Sequence, residues 1–336
     1  MIELKKDSTV YVLCPAYIKT GGPELLHQLV YSLNANRVNA KITYYNLDES
    51  NKDYTNDDFK KYITDYKLIN EVEDLEKNVI VIPETNVELI KKFKQARTVI
   101  WWLSVDNYEI HHNYSLRKQK LGLKSAIKGK IKDILTGGNK DLFKAKYHLC
   151  QSYYAIDFLE KKEINNSIYL SDYINDSYLE TKVDYSKKED IVLYNPKKGF
   201  EFTEKIIEKT PEIKWIPIEN MTTEQVKELL LKSKVYIDFG NHPGKDRFPR
   251  ETAICGCCVI TGTRGAAKFE NDVPILKEFK FNDDDKNIDI IIEKIKSCLN
   301  NYENEICKFE KYRNFISSEK EKFNDDVKNI FQTIEM

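Results

Sequence analysis

Short apolar runs rich in β-branched residues alternate along this chain with segments whose apolar positions repeat at helical spacing. Thr9–Cys14 (TVYVLC) reads as a buried strand. A loop, Pro15 to Gly22, leads to a helix from Pro23 through Leu33, with Leu25, Leu26, Leu29, Val30 and Leu33 on one face. Pro23 suits the first helical turn, where a missing N–H costs nothing. Further strands are predicted at Ala40–Tyr45, Asn78–Pro83, Thr98–Ser104, Tyr147–Cys150 and Ser167–Leu170, with a helix near Val87–Phe93. The alternation then restarts. Strands are predicted at Asp190–Tyr194, Ile213–Ile218, Lys234–Asp238 and Cys257–Thr261, and helices at Phe200–Glu208 and Pro249–Cys255. Thr222 followed by Gln225 has the spacing of a capping box, so a helix starts there. The charged tail, Asn287 to Gln332, reads as helical.

Strand-helix alternation implies parallel sheets joined by right-handed crossovers. Two series broken near residues 172–188 imply an α/β protein of two Rossmann-like domains. The expected bounds are 1–172, 173–315, and a C-terminal helix, 316–336, that packs back on the first domain. A length of 336 residues accommodates two domains, each able to bury its own core. Ligands of such sheets bind beyond the C-terminal ends of the strands. The chemistry is therefore expected in the loops Pro15–Gly22, Val105–His112, Asn195–Gly199, Phe239–Arg250 and Gly262–Ala267.

Composition removes several classes. Lys+Arg is 53 and Asp+Glu is 54, a net charge of −1, which gives no global reason to expect nucleic-acid binding. The seven cysteines form no disulfide framework, and Cys255, Cys257 and Cys258 lack a second pair at zinc-finger spacing, so they read as reduced, buried thiols of a cytoplasmic protein. Met1–Lys6 lacks the apolar stretch of a signal peptide, and no apolar run is long enough to span a bilayer. Residues 116–146 are locally basic, and Leu123, Ile127, Ile131, Ile134 and Leu135 share one helical face. Such a helix either packs on its own domain or lies on an anionic membrane surface.

The segment from Gly240 to Glu251 (GNHPGKDRFPRE) carries the most chemistry. It leaves a strand, enters a helix, and gathers Lys245, Arg247 and Arg250 beside Asp246 and Glu251. Cations at a helix N-terminus suit a diphosphate, and a carboxylate on the first turn can accept two ribose hydroxyls. In the loop Trp101–His112, Asp106 and His111 are candidates to activate or orient an acceptor hydroxyl. Trp101 and Trp102 read as core. Asp283–Asp285 satisfies an Asp-x-Asp metal pattern formally but sits in a polar run and reads as a solvated turn.

Arg250–Ile260 (RETAICGCCVI) resembles the nucleotide-sugar motif of GT-B glycosyltransferases of the retaining, group 1 type, which serve bacterial surface-polysaccharide synthesis. The resemblance implies the GT-B architecture, with two parallel-sheet domains facing a central cleft. It also implies transfer of a sugar from a nucleoside-diphosphate sugar to a glycan or lipid-linked acceptor, with no metal or other cofactor. Glu251 matches the ribose-binding glutamate, and Gly256 the glycine after it. Pro243 stands where many members carry a second glutamate that contacts the donor sugar, and Asp246 and His242 are the nearby candidates to replace it. Thr20–His27 (TGGPELLH) is similar to the N-terminal glycine loop, which implies that Gly21 and Gly22 lie near the donor diphosphate. Lys198-Gly199 resembles the Lys-Gly pair whose lysine meets that diphosphate, although Leu193 stands where the family often has an arginine. Lys198, Arg247 and Asp106 are thus the expected catalytic residues, and Gly21, Gly22, Lys198, Gly199, Lys245, Arg247, Arg250 and Glu251 the donor-binding set. Two rival readings share the two-domain plan: a nucleotide-sugar epimerase, and a silent GT-B subunit that binds a partner.

Overall fold

The computed structural model describes the backbone of residues 1–48, 50–51, 53–136 and 138–334, and their side chains except at 132–139. Lys132, Asp133, Ile134 and Leu135, included above in the basic segment, therefore lie outside the described side chains. The chain divides into two compact units, Met1–Asp172 with Glu321–Met336, and Tyr173–Lys320.

In unit 1, β1 (Ile2–Leu4) precedes β2 (Val10–Pro15), α1 (Gly21–Ala35), β3 (Ala40–Tyr45), β4 (Tyr66–Leu68), β5 (Val79–Pro83) and β6 (Arg97–Trp102). Next come α2 (Val105–His112), α3 (Tyr114–Thr136), β7 (Tyr147–Cys150), α4 (Tyr153–Glu160) and β8 (Ser167–Tyr169). The sheet is parallel, in the order β4-β3-β2-β5-β6-β7-β8. β2 and β5 read as continuous apolar runs because both their faces are covered; every residue from Val10 to Cys14 and from Val79 to Pro83 is buried.

Two expectations need correction. Glu84–Lys92 forms 3₁₀ turns rather than a helix, interrupted by non-helical Asn86. Val105–His112 is a helix rather than a loop, started by the Ser104 hydroxyl, which accepts from the Asn107 N–H at 3.2 Å. Trp101 and Trp102 are fully buried; the Trp101 indole donates to the Leu170 carbonyl and that of Trp102 to His148 Nδ1.

Unit 2 contains α5 (Asp176–Leu179), β9 (Glu189–Tyr194), α6 (Phe200–Glu208), β10 (Lys214–Pro217), α7 (Thr223–Lys232), β11 (Ser233–Asp238), α8 (Arg247–Ile254) and β12 (Cys258–Thr261). It closes with α9 (Ile288–Asn300), α10 (Tyr302–Cys307) and the first part of α11 (Glu310–Ile330). Its sheet is parallel in the order β10-β9-β11-β12. The capping box forms: Thr222 Oγ1 accepts from the Gln225 N–H, and Gln225 Oε1 from the Thr222 N–H at 2.8 Å. Cys255, Cys257 and Cys258 are buried in the core, where burial pushes the Cys255 thiol up to about 12. The Lys188 ammonium knits that corner together by donating to the carbonyls of Leu230, Ser233 and Cys255. A short strand, β13 (Phe331–Thr333), pairs with β1 in unit 1, a pairing of three-residue runs too brief to show a period.

Candidate functional site

In unit 2 the chain runs outward from β9 to β10 and then crosses back to β11 on the other side of β9. The switch point between β9 and β11 is where an open parallel sheet leaves a crevice for a ligand. Two loops meet there, Asn195–Gly199 after β9 and Phe239–Asp246 after β11. Gly199 has φ 62°, and a Cβ on it would overlap the Phe239 carbonyl; a Cβ on Gly240 would run into the Lys198 side chain. Glycine at both positions lets the two backbones touch.

This contact carries Lys198 to Asp246, with Nζ 2.5 Å from Oδ2, the lysine side chain one-third exposed. Asp246 is the residue that starts α8, yet its side chain makes no capping bond. At the first residue of α8, the one-quarter-exposed Arg247 donates through Nε to Glu251 Oε1, one turn on, at 3.1 Å, an i,i+4 pair. Glu251 itself is 6% exposed. Lys198, Gly199, Arg247 and Glu251 are thus brought together at one end of one sheet.

Lys245 and Arg250 are not part of that surface. Arg250 is fully buried; its guanidinium donates to Glu319 Oε2 at 3.0 Å and to the carbonyls of Lys245 and Asp246. The Lys245 ammonium pairs with the other Glu319 oxygen and lies over the Phe315 ring. These two cations fasten the loop to α11 from behind, and in this structure both are turned away from the surface that carries Lys198 and Arg247. Glu319 carried no local signal, since it lies 69 residues from Arg250 in a tail full of glutamates.

The same loop holds a buried polar cluster. Asp238 accepts from the Gly240 N–H and from the Tyr236 hydroxyl, both at 2.9 Å. His242 is fully buried, with Nε2 3.6 Å from Asp238 and Nδ1 3.8 Å from Asp246, and neither ring nitrogen has a hydrogen-bond partner. One ligand atom each from Asp238, His242 and Asp246 lie within 4.8 Å of one another, and the Lys198 ammonium already occupies Asp246. The acidic run Asp283–Asp285 does not converge: its members pair separately with Arg264, Lys286 and Lys205.

In unit 1, Gly21 and Gly22 open α1, and Thr20 before them makes no side-chain cap. A Cβ on Gly22 would meet only Leu103 Cδ1, at 3.8 Å, so packing does not require a glycine there. Asp106 sits in the first turn of α2, half-buried, and accepts from the Tyr154 hydroxyl at 2.9 Å. His111 lies in the last turn of the same helix. Beneath α2, Glu84 is buried and accepts from the Leu103 N–H at 3.0 Å; burial pushes its carboxyl up to about 7 against the pull of that bond.

No protein-family profile and no curated protein sequence matches the chain. Solved structures do. Anabaena HepE in complex with UDP-glucose aligns over 96% of this chain and 98% of its own, with TM-score 0.62 and 9% identity. The lipopolysaccharide outer core galactosyltransferase WaaB aligns over 96% and 99%, with TM-score 0.58 and 10% identity. An alpha-glucosyltransferase in complex with UDP and a 13-mer DNA aligns over 96% and 100%, with TM-score 0.56 and 13% identity. The fold is GT-B. The two sheets, of seven and four parallel strands, are its two Rossmann-like halves.

Proposed function

We propose that this protein is a glycosyltransferase that moves a sugar from a nucleoside-diphosphate sugar to a glycan or lipid-linked acceptor, in the synthesis of a surface polysaccharide. The observation that carries this reading is the meeting of Lys198, Arg247 and Glu251 at the switch point of the unit 2 sheet. Two of the structural neighbours hold UDP or UDP-glucose, and two are named as sugar transferases, which supports the same assignment.

Glu251 accepts the ribose hydroxyls. Lys198 and Arg247 face the diphosphate and neutralise the charge that builds on it as the sugar leaves, the largest contribution a fixed site can make to such a step. In unit 1, the amides of Gly21 and Gly22 at the start of α1 are further candidate donors to an anion. Asp106, held by Tyr154, orients or deprotonates the acceptor hydroxyl.

Helix α3 supports peripheral attachment to an anionic membrane. After a non-helical break at Gly122, Leu123, Ile127 and Ile131 are exposed on its second segment among Lys124 and Lys128, and among the described residues no helix is long and apolar enough to cross a bilayer. Co-sedimentation with anionic but not neutral vesicles tests that attachment.

The test of transfer is release of nucleoside diphosphate from a panel of UDP-, GDP- and CDP-sugars, with and without glycan or polyprenyl-linked acceptors. Acceptor-dependent release supports the proposal. Turnover of donor to an isomer without acceptor supports an epimerase instead, and nucleotide binding with no turnover supports a silent subunit.

A further inference from the structure

His242 is the described side chain at this site whose chemistry the proposed transfer leaves unused. Its imidazole is fully buried, both ring nitrogens lack hydrogen-bond partners, and it stands between two carboxylates. Burying such a group without partners is costly, so its persistence at a loop tip calls for a state in which the partners are made. The separations are informative. An imidazolium between two carboxylates closes to hydrogen-bond distance, about 2.7–2.9 Å. Here the gaps are 3.6 and 3.8 Å, so neither hydrogen bond is made in this structure.

The reason lies in the partners. Asp238 is satisfied by the Gly240 N–H and the Tyr236 hydroxyl, and Asp246 by the Lys198 ammonium. Other charges around the loop are committed elsewhere: Lys245 and Arg250 to Glu319, Arg247 to Glu251, and Arg264, on the loop after β12, to Asp283 and the Phe239 carbonyl. Lys198 therefore cannot serve a diphosphate while it holds Asp246, and if it leaves, a mostly buried carboxylate loses its counter-ion. His242 Nδ1 is the group placed to replace it.

We propose that His242 is a positioning residue that takes Asp246 over from Lys198 when a donor diphosphate arrives, gaining a proton as it does so. One proton passes from solvent to the ring. Nδ1–H then donates to Asp246 Oδ2, Nε2–H donates to Asp238, and the Lys198 ammonium is released to the diphosphate. Charge balances, because the departing lysine cation is replaced by an imidazolium. The loop is in this way a latch that keeps Lys198 paired until a donor is present. The inference rests on the donor-site reading given above.

Proton linkage tests it. UDP, GDP and CDP are titrated calorimetrically into the full chain at pH 7.5 in buffers of differing ionisation enthalpy. For the nucleotide that binds, wild type takes up a proton on binding, and His242→Gln does not; ionisation of the nucleotide's own phosphate contributes equally to both and cancels in the difference. Asp246→Asn, which leaves Lys198 without its carboxylate partner, also loses the uptake and binds about fivefold more tightly, the scale of one partly exposed ion pair. Equal proton counts in wild type and His242→Gln, or an Asp246→Asn variant that binds no more tightly, overturn the latch while leaving the donor site standing. Failure of all three nucleotides to bind wild type overturns the donor site and the latch together.

Discussion

Truncation of Glu319 isolates the part of the structure that holds the site loop in place. Its carboxylate, 4% exposed, is shared by two cations whose side chains are each 1% exposed. Replacing it with alanine leaves both charges buried without their anion, and breaking a buried pair in this way costs about 3–5 kcal/mol. Arg250 keeps the carbonyls of Lys245 and Asp246 as acceptors, which places the expected loss near the lower end, about 3 kcal/mol. At roughly 2–4 °C per kcal/mol for a unit of this size, the melting transition of unit 2 falls by about 6–12 °C. Urea unfolding followed by circular dichroism measures the loss, and hydrogen exchange locates it in α8 and α11. The reasoning makes a second demand. Replacing Lys245, Arg250 and Glu319 together by Met, Met and Leu removes the desolvation cost along with the pairing, so the triple variant is more stable than Glu319→Ala. A single variant within about 0.5 kcal/mol of wild type, or a triple variant worse than the single, refutes the account.

Two further outcomes are expected. Gly199→Ala places a Cβ against the Phe239 carbonyl in a left-handed backbone, so it destabilises unit 2 by more than about 1 kcal/mol and weakens nucleotide binding, as unfolding and titration of the same variant show. Glu84 has its folded proton affinity raised from 4.5 to about 7, so between those values the folded state binds more protons than the unfolded one; stability of unit 1 therefore falls as pH rises from about 4.5 to 7, and Glu84→Gln flattens that slope in unfolding measured across the range.

Most of the fold was legible because its strands are buried on both faces and bounded by turn residues. Ala40–Tyr45, Tyr147–Cys150 and Phe200–Glu208 lie where periodicity places them. What escaped was either short or decided elsewhere. β1 and β13 are three residues each, and their pairing joins the two ends of the chain. Val105–His112 reads as a loop because its polar residues show no helical stripe; its start is set by the Ser104 cap. At the site, Lys198, Arg247 and Glu251 were visible from their neighbours in sequence. The burial of Lys245 and Arg250 was not, because Glu319 arrives from a distant helix and turns two apparent ligand cations inward. The partnerless His242 was equally hidden, since only the folded loop shows that both of its nitrogens face acids.

The central claim is that unit 2 binds a nucleoside diphosphate through Glu251 and Lys198. Isothermal titration of UDP, GDP and CDP into wild type, Glu251→Ala and Lys198→Ala tests it most directly. The account predicts that one nucleotide binds wild type and that each substitution weakens it about tenfold or more, the scale of a charge-assisted hydrogen bond. Binding of none of the three, or undiminished binding by Glu251→Ala, contradicts it.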